Sequence, residues 1–277
     1  MIRRVRAPFV LALAFLALLA VPFVAGAQPA KPEPVTMEWF GWSHYRFTSP
    51  NGTVVLTNPF TANPDSPIKA SDITKADLIF AADGHADEVG STVELAQATG
   101  AMVIAPSELS TWMIEQGVPR AQVAQFIAPG DRLRVKGVTA RVVESFHGSG
   151  LSKPSPTTPY GGVAGGVVLT FENGFTVYFA GSAPAMSEQA LWAEMYKPHL
   201  AILHMGARHE PLDFAMQVKL LRTYNPNLRT VMPHHHRVVQ TAGTTNVQEV
   251  RDAIGDMGVG RIELVAPQLG VKYSLVP

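Results

Sequence analysis

The chain has 277 residues, 47% hydrophobic and 16% charged, enough for one large core or two small ones. Lys plus Arg and Asp plus Glu number 22 each, and no basic cluster follows residue 6, so charge gives no ground for a nucleic-acid partner. The absence of Cys excludes disulfides and lipidation of an amino-terminal Cys, and it leaves His and carboxylate as the metal donors.

Arg3, Arg4 and Arg6 precede an apolar run over 9–24 and the small-residue site Ala25-Gly26-Ala27. This pattern predicts a signal peptide over 1–27, cleaved before Gln28, and a periplasmic or secreted mature chain. The run is shorter than the ~20 residues of a stable span, so no stable membrane span is expected after cleavage; an uncleaved anchor is the alternative. Residues 28–34 form a Pro/Lys linker that reads as extended, and the folded domain is expected over 35–277.

Strands are predicted at 36–40, 44–48 and 53–57, the last two joined by the turn Pro50-Asn51-Gly52. A strand over 77–82 leads to a helix at about 91–98, stopped by Gly100. A buried strand at 102–105 is followed by a helix over 106–116 with Gly117 at its end. Residues 131–145 read as a hairpin around Lys136-Gly137, 148–164 as a Gly/Ser/Pro loop, and 167–179 as a hairpin across Glu172-Asn173-Gly174. A helix at 187–195, a strand at 200–203, a helix at 212–223 and a strand at 230–232 follow. Thr245, with Gln248 three residues on, opens the last helix as a capping box, and strands at 262–265 and 272–275 close the chain. Strands and helices interleave in two halves joined near residue 165, which predicts one α/β domain with two packed sheets and helices outside.

Four stretches follow strand-like runs: Asp83-Gly84-His85-Ala86-Asp87-Glu88, Phe146-His147, Ala180-Gly181-Ser182 and Pro233-His234-His235-His236. Imidazoles and carboxylates on strand ends can converge at one sheet edge, and His with Asp or Glu is a donor set for a borderline cation such as zinc. Taken alone, 83–88 also fits a polar turn with an Asp helix cap, and His147 a core histidine bonded to backbone. Recurrence at several strand ends favours the metal reading. Neighbours in an extended segment point opposite ways, so at most two of His234, His235 and His236 face one cleft. His204 and His209 suit ligand support, substrate contact or packing equally; His44 and His199 read as structural.

The order of these segments resembles the metallo-β-lactamase superfamily, and within it the small metal-dependent hydrolases that include the ascorbate-phosphate lactonases. Trp39-Phe40-Gly41-Trp42-Ser43 is similar to W-L-G-H-S, and Val55-Leu56-Thr57-Asn58-Pro59-Phe60 to I-L-I-D-P-F. The stretch from Asp83 to Glu88 takes the place of T-H-G-H-x-D-H, Phe179-Ala180-Gly181-Ser182 of H-A-G-D, and Val231 to His235 of V-I-P-M-H. His85, Asp87, His147 and His235 keep the pattern. Asp83 and Glu88 stand where the family has His, Ser182 and Asn58 where it has Asp, and Trp42 where it has His.

The resemblance implies a four-layer αββα sandwich and two metal sites. Asp83, His85 and His147 make the first, a two-His, one-carboxylate set that suits zinc or ferrous iron; Asp87, Glu88 and His235 make the second, which leans toward manganese, iron or magnesium. One or two ions are expected, zinc first among them. Ser182 carries no charge to bridge them. Asp87 would orient the attacking water or accept its proton, and the Gly-rich segment 157–166 would be a mobile lid. The reading is an exported hydrolase of a small-molecule ester, lactone, amide or phosphoester. Two alternatives stand beside it: a non-catalytic metal- or small-ligand-binding protein of this fold, and an iron enzyme of redox type. The sequence carries no reading of oligomeric state.

Overall fold

β-Branched and aromatic runs dominate both halves of the chain, and the central strands they form are buried on both faces. A computed structural model describes residues 33–126 and 129–277. Among them the strands make two seven-stranded sheets. The first contains β1 (Val35–Trp39), β2 (Tyr45–Thr48), β3 (Val54–Thr57), β4 (Leu78–Phe80), β5 (Met102–Pro106) and β6 (Val123–Phe126). The second contains β7 (Arg132–Val135), β8 (Val138–Glu144), β9 (Gly165–Thr170), β10 (Thr176–Phe179), β11 (Leu200–His204), β12 (Thr230–His234) and β13 (Glu263–Leu264). The last strand, β14 (Tyr273–Leu275), returns to pair with β1. Both sheets begin antiparallel and turn parallel, from β3 to β6 and from β10 to β13.

Alternation along the strands sorts side chains into layers. Val55, Leu78 and Phe80 point with Val142, Val167 and Phe179 into a core between the sheets. Leu56 and Ile79 point the other way, under α2 (Thr92–Thr99) and α3 (Ser107–Glu115). Val143, Val168 and Tyr178 lie under α4 (Glu188–Tyr196), α5 (Pro211–Tyr224) and α6 (Val247–Asp256). Three cores between four layers are the expected αββα sandwich.

Three details differ from the sequence reading. The chain passes between sheets in the segment after β6, not near residue 165. The 148–164 loop joins β8 to β9 within one sheet, and Glu144 pairs with Gly165 across it. The strand β6 was not expected, because polar Gln125 interrupts its short apolar run. The capping box of α6 belongs to Asn246 and Glu249, one residue later than expected: Asn246 Oδ1 accepts from Glu249 N and Glu249 Oε2 from Asn246 N, both at 3.0 Å. The signal-peptide assignment and residues 28–32 of the linker lie outside the described residues. No helix among those residues is long and apolar enough to cross a membrane.

Candidate metal centre

The carboxyl ends of strands from both sheets meet at one edge, where an open α/β architecture commonly places ligand-binding groups. Asp83 follows β4, His147 follows β8, Ser182 follows β10, His204 ends β11 and His235 follows β12. Asp87 and Glu88 sit on α1 (Ala86–Val89), a single turn capped by His85.

Asp83 is fully buried and engages two imidazoles. Its Oδ1 accepts from His85 N at 2.9 Å and lies 3.0 Å from His85 Nδ1, while Oδ2 lies 3.0 Å from His147 Nδ1. Burial alone would raise the Asp83 carboxyl; the hydrogen bonds from His147 and His85 overcome it and hold the group down to about 2. The hydrogen bond to Asp83 in turn raises His85. Gly84, between the two ligand candidates, has no room for a side chain: a Cβ there would lie 2.8 Å from Ser149 O. Gly84 N donates to Ser149 Oγ and Gly161 N to Ser149 O. Glu115 on α3 accepts from Ser155, Thr157 and Thr158. The segment expected to be a mobile lid is thus bonded at Gly161 to the 148–150 turn, with Thr157 and Thr158 held to α3.

The second cluster is more anionic. His235 Nε2 lies 3.1 Å from Asp87 Oδ2 and 3.5 Å from Glu88 Oε1. Glu88 is buried, and three neutral side chains donate to it: Ser182 at 2.7 Å, Ser43 at 3.2 Å and Asn58. Burial, then the charges of Asp83 and Asp87, push the Glu88 carboxyl well above its ordinary range. Burial works against Asp87 too, but the hydrogen bond from His235 holds it below. Ser182 and Asn58, the two positions where the resemblance finds a missing Asp, therefore solvate one gained carboxylate.

Backbone strain gathers at this cluster. Trp42, Asn58 and His235 have positive φ of 52°, 42° and 63°, a region that costs a side-chain-bearing residue on the order of 1–3 kcal/mol. His235 N donates to Trp42 O at 3.2 Å, and their rings meet edge-on at 5.3 Å.

The histidine triplet divides in three. His235 enters the cluster. His234 is buried behind it, its Nδ1 2.7 Å from His235 Nδ1 and its Nε2 3.0 Å from Gly181 O. His236 turns away and stacks on Trp39 at 4.3 Å. His204 touches both clusters, its ring 6.3 Å from that of His147 and 5.1 Å from that of His235. Burial, then the neighbouring imidazoles, push His204 down to about 2, and its buried Nδ1 has no hydrogen-bond partner among the described residues. His209 pairs with Asp213 at 2.5 Å. His199 accepts from Thr176 N at the other end of β10, and His44 is buried against Phe40.

All six residues singled out from sequence fall into two groups, Asp83 with His85 and His147, and Asp87 with Glu88 and His235. Their nearest donor atoms lie within 4.8 Å of one another in each group. Both sets combine imidazole with carboxylate and fit a divalent cation. The sequence reading had missed Ser43 as a donor to Glu88 and the bond between His234 and His235.

The model of the β-lactamase superfamily domain matches residues 49–264, which include all six. The chain belongs to this superfamily. A UPF0173 metal-dependent hydrolase of Rubrobacter xylanophilus is 33% identical over 201 residues, 72% of this chain and 80% of the relative. Another from Cupriavidus taiwanensis is 30% identical over 266 residues, 91% of this chain and 90% of the relative. In structure, the chain is similar to Igni18, a metallo hydrolase of Ignicoccus hospitalis, with TM-score 0.69 and 21% identity over 87% of this chain and 98% of that one; that likeness speaks for the fold. The superfamily relatives and the two donor sets together imply a divalent metal. The likeness to ascorbate-phosphate lactonases stays one of motifs.

Proposed function

We propose that this superfamily member is an exported metal-dependent hydrolase with a redistributed two-cation site, acting on a small-molecule ester, lactone, amide or phosphoester. The observation that carries this reading is the presence, at one strand-end edge, of two adjoining acid–imidazole groups with no lysine or arginine among their bonded partners in the described residues. Asp83, His85 and His147 would hold one ion, zinc by donor type; Asp87, Glu88 and His235 would hold a second, with manganese or iron favoured by the extra carboxylate. A bound divalent ion lowers the pKa of water from about 15.7 toward ~7 and so supplies a nucleophile at neutral pH.

The chain's own residues supply the rest. Asp87, with 27% of its side chain exposed against 1% for Glu88, reaches the cleft and can orient water or take its proton. Glu88, held by three donors, stays fixed. His204 offers an unpartnered nitrogen at the seam of the two clusters. A second reading, ligand binding without catalysis, draws on the neutral Ser182 and the full engagement of Glu88.

The test is a panel of lactones, phosphodiesters, esters and acyl amides, run on untagged protein loaded in turn with zinc, manganese and ferrous iron. Hydrolysis that disappears in Asp87→Ala supports the enzyme reading. Cation uptake without turnover of any probe supports the binding reading. Export rests on the 1–27 pattern; an intact mass beginning at Gln28 supports it, and a mass retaining Met1 in the membrane fraction contradicts it.

A further inference from the structure

We propose that His234 is the positioning residue of the second cluster, accepting the Nδ1 proton of His235 and so turning His235 Nε2 toward Asp87 and Glu88. This rests on the reading that the cluster binds a cation, and it names how the chain builds that site.

Gly181 O is a carbonyl and can only accept. His234 Nε2, 3.0 Å away, is therefore the donor. A neutral imidazole has a single N–H, so His234 Nδ1 is an acceptor. His235 Nδ1, 2.7 Å from it, must carry the proton of that bond, which leaves Nε2 as the ring nitrogen open to a cation. That nitrogen faces carboxylate oxygens of Asp87 at 3.1 Å and Glu88 at 3.5 Å. Without a cation Nε2 can share a proton with Asp87; a cation would take that proton's place among the same three atoms.

The surroundings are built for this arrangement. His234 is fully buried and stacks on Phe179 at 5.1 Å, and burial, then the neighbouring His235 and His204, hold it well below the ordinary histidine range. In a regular strand, rings 234 and 235 would point to opposite faces. The left-handed backbone of His235 breaks that alternation and lets the two rings meet. Gly181 is itself left-handed, with φ 63°, and a Cβ there would lie 2.6 Å from Gly165 O. That turn serves both sides of the cluster: Gly181 O takes the His234 proton and Ser182 Oγ donates to Glu88. Sequence reading could not assign His234, because its role depends on this one kinked bond.

The test uses the untagged chain, with zinc and manganese ions as probes, titrated against a chromophoric chelator. It adds nitrogen-15 histidine spectra of the chelated protein, which distinguish the two tautomers. The expected results are a protonated Nδ1 on His235 and two cation equivalents per wild-type chain. His234→Phe, which removes the acceptor, should weaken one equivalent by about 10–100-fold, the usual effect of losing a partner behind a ligand, and leave the other unchanged. His234→Gln, whose carbonyl accepts from His235 and whose amide donates to Gly181, should restore most of the loss, which a packing role alone would not do. A His235 Nδ1 that carries no proton in the wild type overturns the proposal, and does so even if the variants fail to fold. So does a folded His234→Phe that binds both equivalents as tightly as wild type. A wild type that takes up neither ion overturns the metal reading itself, and this is seen before any substitution is made.

Discussion

Glu88 shows how one residue can reorganise a site around itself. A buried carboxylate needs donors or a positive partner, and here Ser43, Asn58 and Ser182 supply hydrogen bonds while His235 lies on the open side. Ser182→Asp would replace a donor with a second carboxylate against Glu88 Oε1. The chelated variant should melt below wild type by at least about 2–4 °C, the effect of about 1 kcal/mol in a domain of this size. Added zinc or manganese should close the gap, since a cation can lie between the two carboxylates. Equal melting of the chelated proteins would show that Glu88 is not held as described. Asp83 has the opposite sign of shift. Its folded value is depressed from 3.8 to about 2, so its contribution is present above the unfolded value and lost as pH falls through the folded one. Denaturation of chelated protein should show a loss of stability between about pH 4 and pH 2, and Asp83→Asn should flatten that slope; an unchanged slope would contradict the pairing with His85 and His147.

At the scale of elements, the short β4–α1 turn does the most positioning. It places Asp83, His85, Asp87 and Glu88 within six residues, and Gly84 lets the 148–164 loop pack directly on it. Gly84→Ala would force Ser149 and Gly161 away. It should cost about 1–3 kcal/mol, as overpacking does, and lower cation uptake at the first cluster more than at the second. Calorimetry with cation titration checks both; wild-type stability and uptake would show that the loop does not brace the turn. Most of these elements were legible in the sequence, because long apolar runs and Gly, Asn and Pro turns announce them. What escaped it were features set by tertiary contact. The strand β6 has a weak pattern and is completed by pairing with β5. The Gly-rich segment 157–166 reads as a mobile lid, yet Glu115 of α3 holds Thr157 and Thr158. The positive φ of His235 has no local signature, since neither glycine nor asparagine marks it.

Across the whole molecule, the two sheets divide the work. The first brings the β4 turn, with four of the six candidate ligands; the second brings His147 and His235, together with Ser182 and the histidines behind them. The site exists only where both are packed, and the core of Phe80, Phe179 and Tyr45 lies directly beneath it. Tyr45 Oη, from the first sheet, donates to Pro233 O at 2.8 Å and ties the sheets together one residue before the His triplet. Strand-end chemistry was legible in the sequence because each motif follows an apolar run. The pairing of motifs across the sheets was legible only through the superfamily resemblance, since no spacing within the chain announces it. The most direct test of the account is elemental analysis of untagged, dialysed protein: wild type beside His147→Ala, His235→Ala and His199→Ala. The account predicts that His147→Ala and His235→Ala each lose bound cation while folded, and that His199→Ala, at the far end of β10, matches wild type. Equal cation content in all four proteins would contradict it.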